Sequence, residues 1–191
     1  MKKMNNKGFS LVELIIVIAI MAILAGAIAP ALIRYIDKSR KSNDVTSGKA
    51  IKTAIESAMT DEDIFAYLTS ADDGKVVTIT ITPGQATSDG EDKEAKDSGA
   101  IKIEGATKSD DMPTDIDKQA KSEIGTNIGE KTPKIKYKKD KAEKFVAYIN
   151  NKGTIYVYAT TKSGSIEATK LGEDGTGAWQ LVPEVSKKYS K

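Results

Sequence analysis

Leu14-Ile15-Ile16-Val17-Ile18-Ala19-Ile20-Met21-Ala22-Ile23-Leu24-Ala25-Gly26-Ala27-Ile28-Ala29-Pro30-Ala31-Leu32-Ile33 is a run of twenty residues without a charged or polar side chain. At about 1.5 Å of rise per residue, a helix of this length extends roughly 30 Å, the thickness of a bilayer's hydrocarbon core. Eleven of the twenty are Leu, Ile or Val. At roughly −0.5 kcal/mol each, they favour insertion by on the order of 5 kcal/mol. The run reads as a helix able to enter a membrane. Pro30 removes a backbone donor and crowds the preceding turn, so a bend between Ala25 and Ala31 is expected, with Gly26 and Pro30 as the helix-breaking positions.

Charges flank the run on both sides. Lys2, Lys3 and Lys7 precede it, and Arg34, Lys38, Arg40 and Lys41 follow, so charge counting leaves the orientation open. A cleaved signal peptide would use the basic start and the small residues Ala25-Gly26-Ala27. Against that, the apolar run exceeds the usual h-region of about 7–15 residues and continues past the cut through Ile28, Leu32 and Ile33. A single-pass anchor is the second reading.

The third reading rests on Lys7-Gly8-Phe9-Ser10-Leu11-Val12-Glu13, placed directly before the apolar run. This stretch resembles the type III signal of type IV prepilins. The resemblance implies cleavage after Gly8 by a membrane-embedded prepilin peptidase, N-methylation of the new terminus at Phe9, and an assembly role for Glu13. In that family the glutamate pairs with the N-terminal amine of a neighbouring subunit as the helices bundle. Read from the carboxylate alone, Glu13 is a residue at the edge of the span, where a charge stays in the headgroup region at modest cost. Gly26 and Pro30 also resemble the helix-breaking positions of pilin stalks. The absence of cysteine gives a further resemblance to major pilins of clostridial or Gram-positive type that lack a disulfide.

The rest of the 191-residue chain limits the chemistry. It has 29 basic and 27 acidic residues, for a net charge of +2, and neither Cys nor His. Disulfides, thiolate zinc sites, Cys nucleophiles and imidazole acids or bases are thereby excluded. The small basic excess argues against a nucleic-acid binder held by a uniform field. Without Lys2, Lys3 and Lys7 the balance becomes 26 basic to 27 acidic, so the excess resides in the basic start.

Beyond Ile33, the set Ile51, Ala54, Ile55, Ala58 and Met59 has helical spacing, and the polar residues Lys38 to Asp44 precede it. One long helix over roughly 9–59 is predicted, apolar all round at first and amphipathic later, burying Ile51, Ile55 and Met59. Thr60 is expected to cap a short helix over 61–68, with Asp63 three residues on. Val77 to Thr82 alternates apolar residues with Thr and stops at Pro83-Gly84, a strand. Residues 85–100 read as an exposed loop. A helix follows Pro113, with Ile116, Ala120 and Ile124 on one face. Phe145–Ile149 and Thr154–Thr161 form a hairpin about Asn150-Asn151-Lys152-Gly153. Ile135–Lys138 and Ser165–Leu171 are weaker strand candidates. In the absence of a disulfide, Gly172 to Ser186, with Trp179, is a candidate to close the C-terminal region by packing.

Other constellations have plainer readings. Asp89-Gly90-Glu91-Asp92-Lys93-Glu94 lacks the spacing of a calcium loop and reads as solvated. Asp72-Asp73-Gly74 and Asp110-Asp111 sit where turns and caps favour Asp. Ser163-Gly164-Ser165 has no histidine base and suits a hairpin turn. Tyr148, Tyr156 and Tyr158 read as cross-strand packing. The lysines Lys131, Lys134, Lys136, Lys138, Lys139, Lys141 and Lys144 surround Tyr137. Nucleic-acid binding is conceivable there, but alternating lysines on a strand edge also deter edge pairing. Residues 85–117 hold ten acidic against four basic side chains, and 131–144 hold seven basic against two acidic. Contact between these opposite patches across neighbouring subunits is a hypothesis, beside the reading of two solvated faces.

The fold expected is α+β, a long N-terminal helix packed on an antiparallel sheet. The segments are a leader over 1–8, a transmembrane or fibre-core helix over 9–33, its amphipathic continuation over 34–59, and a head over 60–191. The resemblance implies a subunit of a type IV pilus for adhesion, aggregation or twitching motility, membrane-bound before assembly and extracellular afterwards. Its implied partners are copies of itself in a helical fibre, the prepilin peptidase and the pilus assembly machinery. No cofactor, metal or catalytic residue is assigned. The alternatives are a pseudopilin of a type II secretion or competence system, and a membrane-anchored extracellular binding domain.

Overall fold

A continuous apolar stretch with strong helix formers, followed by an amphipathic one, gives a single helix, α1, over Leu11–Ala58. The structure, a computed structural model, describes residues 9–83, 101–129 and 132–190. The expected leader, the acidic stretch at 89–94 and Lys131 lie outside them. The chain forms two units, one reaching Ser39 and one beginning at Arg40, and α1 contributes to both.

In the first unit every residue from Phe9 to Ile36 is exposed. The expected bend does not end the helix, for α1 is assigned as helix through Gly26 and Pro30. The carbonyl that loses its donor at Pro30 is that of Gly26, four residues earlier.

In the second unit, the α1 residues Asp44, Gly48, Ile51, Ala54, Ile55 and Ala58 are buried. Ile51 and Ile55 are fully covered as expected, and Met59 is half-buried against the same core. Gly48 lets the helix approach closely, since a Cβ there would lie 3.0 Å from Leu181 Cβ.

The core's other wall is a five-stranded antiparallel sheet: β1 (Val77–Ile81), β2 (Ile101–Glu104), β3 (Lys144–Ile149), β4 (Ile155–Ser165) and β5 (Thr176–Val182), in the order β2-β1-β3-β4-β5. Registers Ile79↔Ile103, Ile79↔Ala147 and Ala147↔Val157 put apolar residues of four strands in one row. That row packs with Ile51 and Ile55. Each Ile or Val side chain of the row, taken from water to full burial, contributes about 1.5–3 kcal/mol.

The opposite sheet face is also covered. Tyr148 and Tyr158 meet edge to face with centroids 5.6 Å apart, and Ile166 and Leu171 pack against their cluster. Ser165–Leu171 is therefore a lid rather than the predicted strand. Beyond Ser165 it leaves the sheet, makes one turn at 168–170 and returns to donate the Gly172 N–H to Tyr158 Oη at 3.0 Å.

Helix α2 (Glu62–Leu68) begins one residue later than expected. Its cap is Asp61, not Thr60: the Asp61 carboxylate accepts from the N–H groups of Asp63 and Ile64, while the Thr60 hydroxyl donates to the Ser57 carbonyl at 2.7 Å. Helix α3 (Ile116–Ile128) buries Ile116, Ala120 and Ile124, as their spacing predicts, and packs against α2 and β2. A last turn, α4 (Lys187–Ser190), packs against β5 at the opposite sheet edge. Residues 135–138 do not form the predicted strand. Ile135 and Tyr137 are buried and Lys134, Lys136 and Lys138 exposed, an alternation without ladder bonds. The lysines therefore do not guard a strand edge.

Candidate assembly segment and closure of the head

The start of α1 carries a reciprocal cap. The Leu14 N–H donates to the Ser10 carbonyl at 3.2 Å, which makes Ser10 the residue preceding the helix. The Val12 N–H donates to Ser10 Oγ at 3.3 Å, and the Ser10 N–H donates to Glu13 Oε2 at 2.9 Å. This is a variant of the Ser-x-x-Glu capping box in which the hydroxyl takes the N–H of the second helical residue, with the carboxylate also placed favourably toward the positive end of the helix dipole. Within a single chain, Glu13 thus caps its own helix. The pattern is legible in Ser10-Leu11-Val12-Glu13.

Phe9 is 81% exposed, and Gly8 lies outside the described residues. From Leu11 to Ile33 the helix presents apolar side chains on all sides, and it is long and apolar enough to cross a membrane. Such a surface marks contact with lipid or with another protein. At Gly26 a Cβ would meet nothing within 4 Å, so nothing among the described residues requires glycine there.

In the head, the carboxylate of Asp44 is the principal tie that sequence reasoning missed. It is fully buried, with Oδ1 accepting the Lys136 N–H at 2.6 Å and Oδ2 the Tyr137 N–H at 2.9 Å. Burial pushes its pKa up, and this outweighs the opposing pull of the two amide bonds and of Lys138 and Lys136. Around it, Lys41 Nζ lies 4.8 Å from the Tyr137 ring centroid and donates to the Lys188 carbonyl at 2.6 Å. Tyr137 and Tyr189 meet edge to face at 5.8 Å.

The C-terminal region closes by packing, with Leu181 and Val182 in the core, and by hydrogen bonds. Asp174 Oδ1 accepts the Gln180 N–H at 3.0 Å and Oδ2 accepts the Ser186 hydroxyl at 2.7 Å, while the Ser186 N–H donates to the Gln180 carbonyl at 2.8 Å. Trp179 is partly buried beside the core, with Lys188 Nζ 4.6 Å from its ring centroid.

The remaining constellations do not converge. Asp72 pairs with Lys75 at 2.6 Å, and Asp73 accepts from Asn151 at 2.7 Å across the β3–β4 turn. Ser163-Gly164-Ser165 is no hairpin turn. It lies within β4, where Gly164 passes so close to the Gly177 carbonyl that a Cβ would collide with it. Tyr148 and Tyr158 are buried, and Tyr156 is half-buried. Among the described residues no group of three or more acidic, His or Cys side chains is arranged to hold a metal.

Residues 3–29 match the family model described as the prokaryotic N-terminal methylation motif. The chain is 39% identical over 62 residues to the type IV major pilin protein PilA of Myxococcus xanthus, covering 32% of this chain and 28% of that protein. It is 48% identical over 54 residues to fimbrial protein Q of Moraxella bovis, covering 28% and 34%. It is 41% identical over 59 residues to the type IV major fimbrial protein FimA of Dichelobacter nodosus, covering 31% and 38%. The aligned part is thus about a third of each relative's length. No solved structure matches. With the methylation motif at its start, the apolar helix that follows and these relatives, the N-terminal third of the chain is similar to that of type IV pilins.

Proposed function

We propose that the chain is the precursor of a structural subunit of a type IV pilus. A prepilin peptidase cuts between Gly8 and Phe9, Phe9 is methylated, and the apolar helix moves from the membrane into the core of a helical fibre. Residues 1–8 are the leader, 9–33 the membrane and fibre-core helix, 34–59 its continuation and 60–191 the head. The observation that carries this reading is an apolar helix surface from Leu11 to Ile33 with no cover among the described residues, beginning at the methylation motif. Lipid covers it first, and other copies of the helix cover it afterwards.

Glu13 has two tasks in this reading. In the membrane-bound chain its carboxylate caps the helix. In the fibre, a charge placed among packed helices needs a cationic partner, and the amine of a neighbour's Phe9 supplies one. Gly26 and Pro30 are the positions where the helix yields during packing. The fibre serves surface adhesion, aggregation or twitching motility, and the chain works without catalysis.

The test is to express Gly8→Val beside the wild type in cells with the peptidase. The wild type should yield a shortened chain and sedimentable filaments. The variant should remain full-length in the membrane with no filaments. Filaments built from uncut chains would overturn the proposal.

A further inference from the structure

Three segments far apart in sequence converge where α1 enters the head. Lys41 of α1 touches both other segments, through the Tyr137 ring and the Lys188 carbonyl. The middle segment exposes Lys136, Lys138, Lys139 and Lys141, and α4 exposes Lys187 and Lys188. Two carboxylates within this area are withdrawn: Asp44 is buried, and Asp140, with only 10% of its side chain exposed, is paired with Lys188 at 2.9 Å; Glu143 and Glu184 are at the surface and Asp37 is half-buried, against six exposed lysines. The exposed acids Asp110, Asp111 and Asp115 lie on the other side, next to α3, which packs on β2, while α4 packs on β5. β2 and β5 are the two opposite edges of the sheet.

From this placement we infer that the basic face is a docking surface for an anionic bilayer, used by the chain before it enters a fibre. The inference rests on the membrane reading of the apolar run. Lys41 follows Ile33, the end of that run, by eight residues, which is about 12 Å of helix. That is close to the Debye length of about 8–10 Å at physiological ionic strength. Clusters of Lys that follow a membrane helix closely in sequence are drawn to acidic leaflets.

Trp179 is the chain's single tryptophan and lies under Lys188, so the face carries its own reporter. The full chain is reconstituted in vesicles of phosphatidylcholine, or of phosphatidylcholine with phosphatidylglycerol, each with a trace of lipid dansylated at the headgroup. Energy transfer from Trp179 should be about twofold or more higher in the anionic vesicles and should fall to the zwitterionic level at roughly 0.5 M salt. The variant Lys136→Glu, Lys138→Glu, Lys139→Glu, Lys187→Glu alters exposed side chains only, and its thermal unfolding reports that the head is intact. It should lose the lipid-dependent difference, and the corresponding Gln variant should lose most of it. Flotation with both vesicle types reads insertion of the apolar helix separately. A chain that does not float overturns the membrane reading and this inference with it. A chain that floats, yet transfers equally in both lipids or equally in the Glu variant, overturns this inference alone. Capture of duplex DNA by chain-bearing phosphatidylcholine vesicles, without any lipid effect, would assign the face to nucleic acid instead.

Discussion

The Asp44 carboxylate on α1 accepts the Tyr137 N–H at 2.9 Å, joining two residues 93 positions apart, and takes the neighbouring Lys136 N–H with its other oxygen. A loop that is not part of the sheet is thereby held to the helix, and the buried rings of Tyr137 and Tyr189 follow. Burial of the carboxylate is the cost, and the raised pKa is its signature.

Asp44→Asn should lower head stability by about 1–3 kcal/mol, since an amide keeps one acceptor and turns a donor toward the other N–H. The two chains should also differ in pH response. A folded pKa above the ordinary 3.8 means that the native state binds this proton more readily than the unfolded chain. The contribution is then full below the unfolded value and is lost as pH rises through the folded one. Thermal unfolding followed by Trp179 fluorescence should show the wild-type advantage over Asp44→Asn widening as pH falls from 7 toward 4.

Asp174→Ala removes the acceptor for both the Gln180 N–H and the Ser186 hydroxyl. A loss of about 1–3 kcal/mol is expected, or several degrees in Tm. Limited proteolysis should cut the variant first between residues 172 and 190, and the wild type should resist there.

Tyr189 is buried, and its hydroxyl has no hydrogen-bond partner among the described residues; burial and the charges of Asp44 and Asp140 raise its pKa. Tyr189→Phe should therefore be neutral or stabilising by up to about 1 kcal/mol. Tyr189→Ala should cost about 3–5 kcal/mol through lost packing. Equal losses in both variants in a denaturant titration would contradict this.

Capping and charge at Glu13 are separable. Gln keeps the capping-box acceptor but carries no charge. In detergent, Glu13→Gln should match the wild-type circular dichroism, and Glu13→Ala should lose about a turn of helix. Both should reduce sedimentable filaments by a similar factor if the charge drives assembly.

Legibility in the sequence followed the range of the signal. Ile116, Ala120 and Ile124, the Asn150–Gly153 hairpin and the Val77–Ile81 alternation are local patterns, and the structure bears them out. Strands β2 and β5 escaped notice. Ile101–Glu104 is four residues long, and Thr176–Val182 has a glycine, Gly177, as its second residue, which suggests a loop. Alternation around Tyr137 was read as a strand because burial on one side produces period two with or without a ladder. Asp44 gave no warning, since a carboxylate on a polar helix face looks the same whether water or two distant amides receive it. The methylation motif and the apolar helix were the most legible part, because contiguous residues carry them from Lys7 to Ile33.

Intact-mass and fragment analysis of subunits sheared from the cell surface tests the central claim most directly. The account predicts a chain that begins at Phe9 and carries one methyl group on its amine. A chain that begins near Ile28, or one that retains residues 1–8, would contradict it.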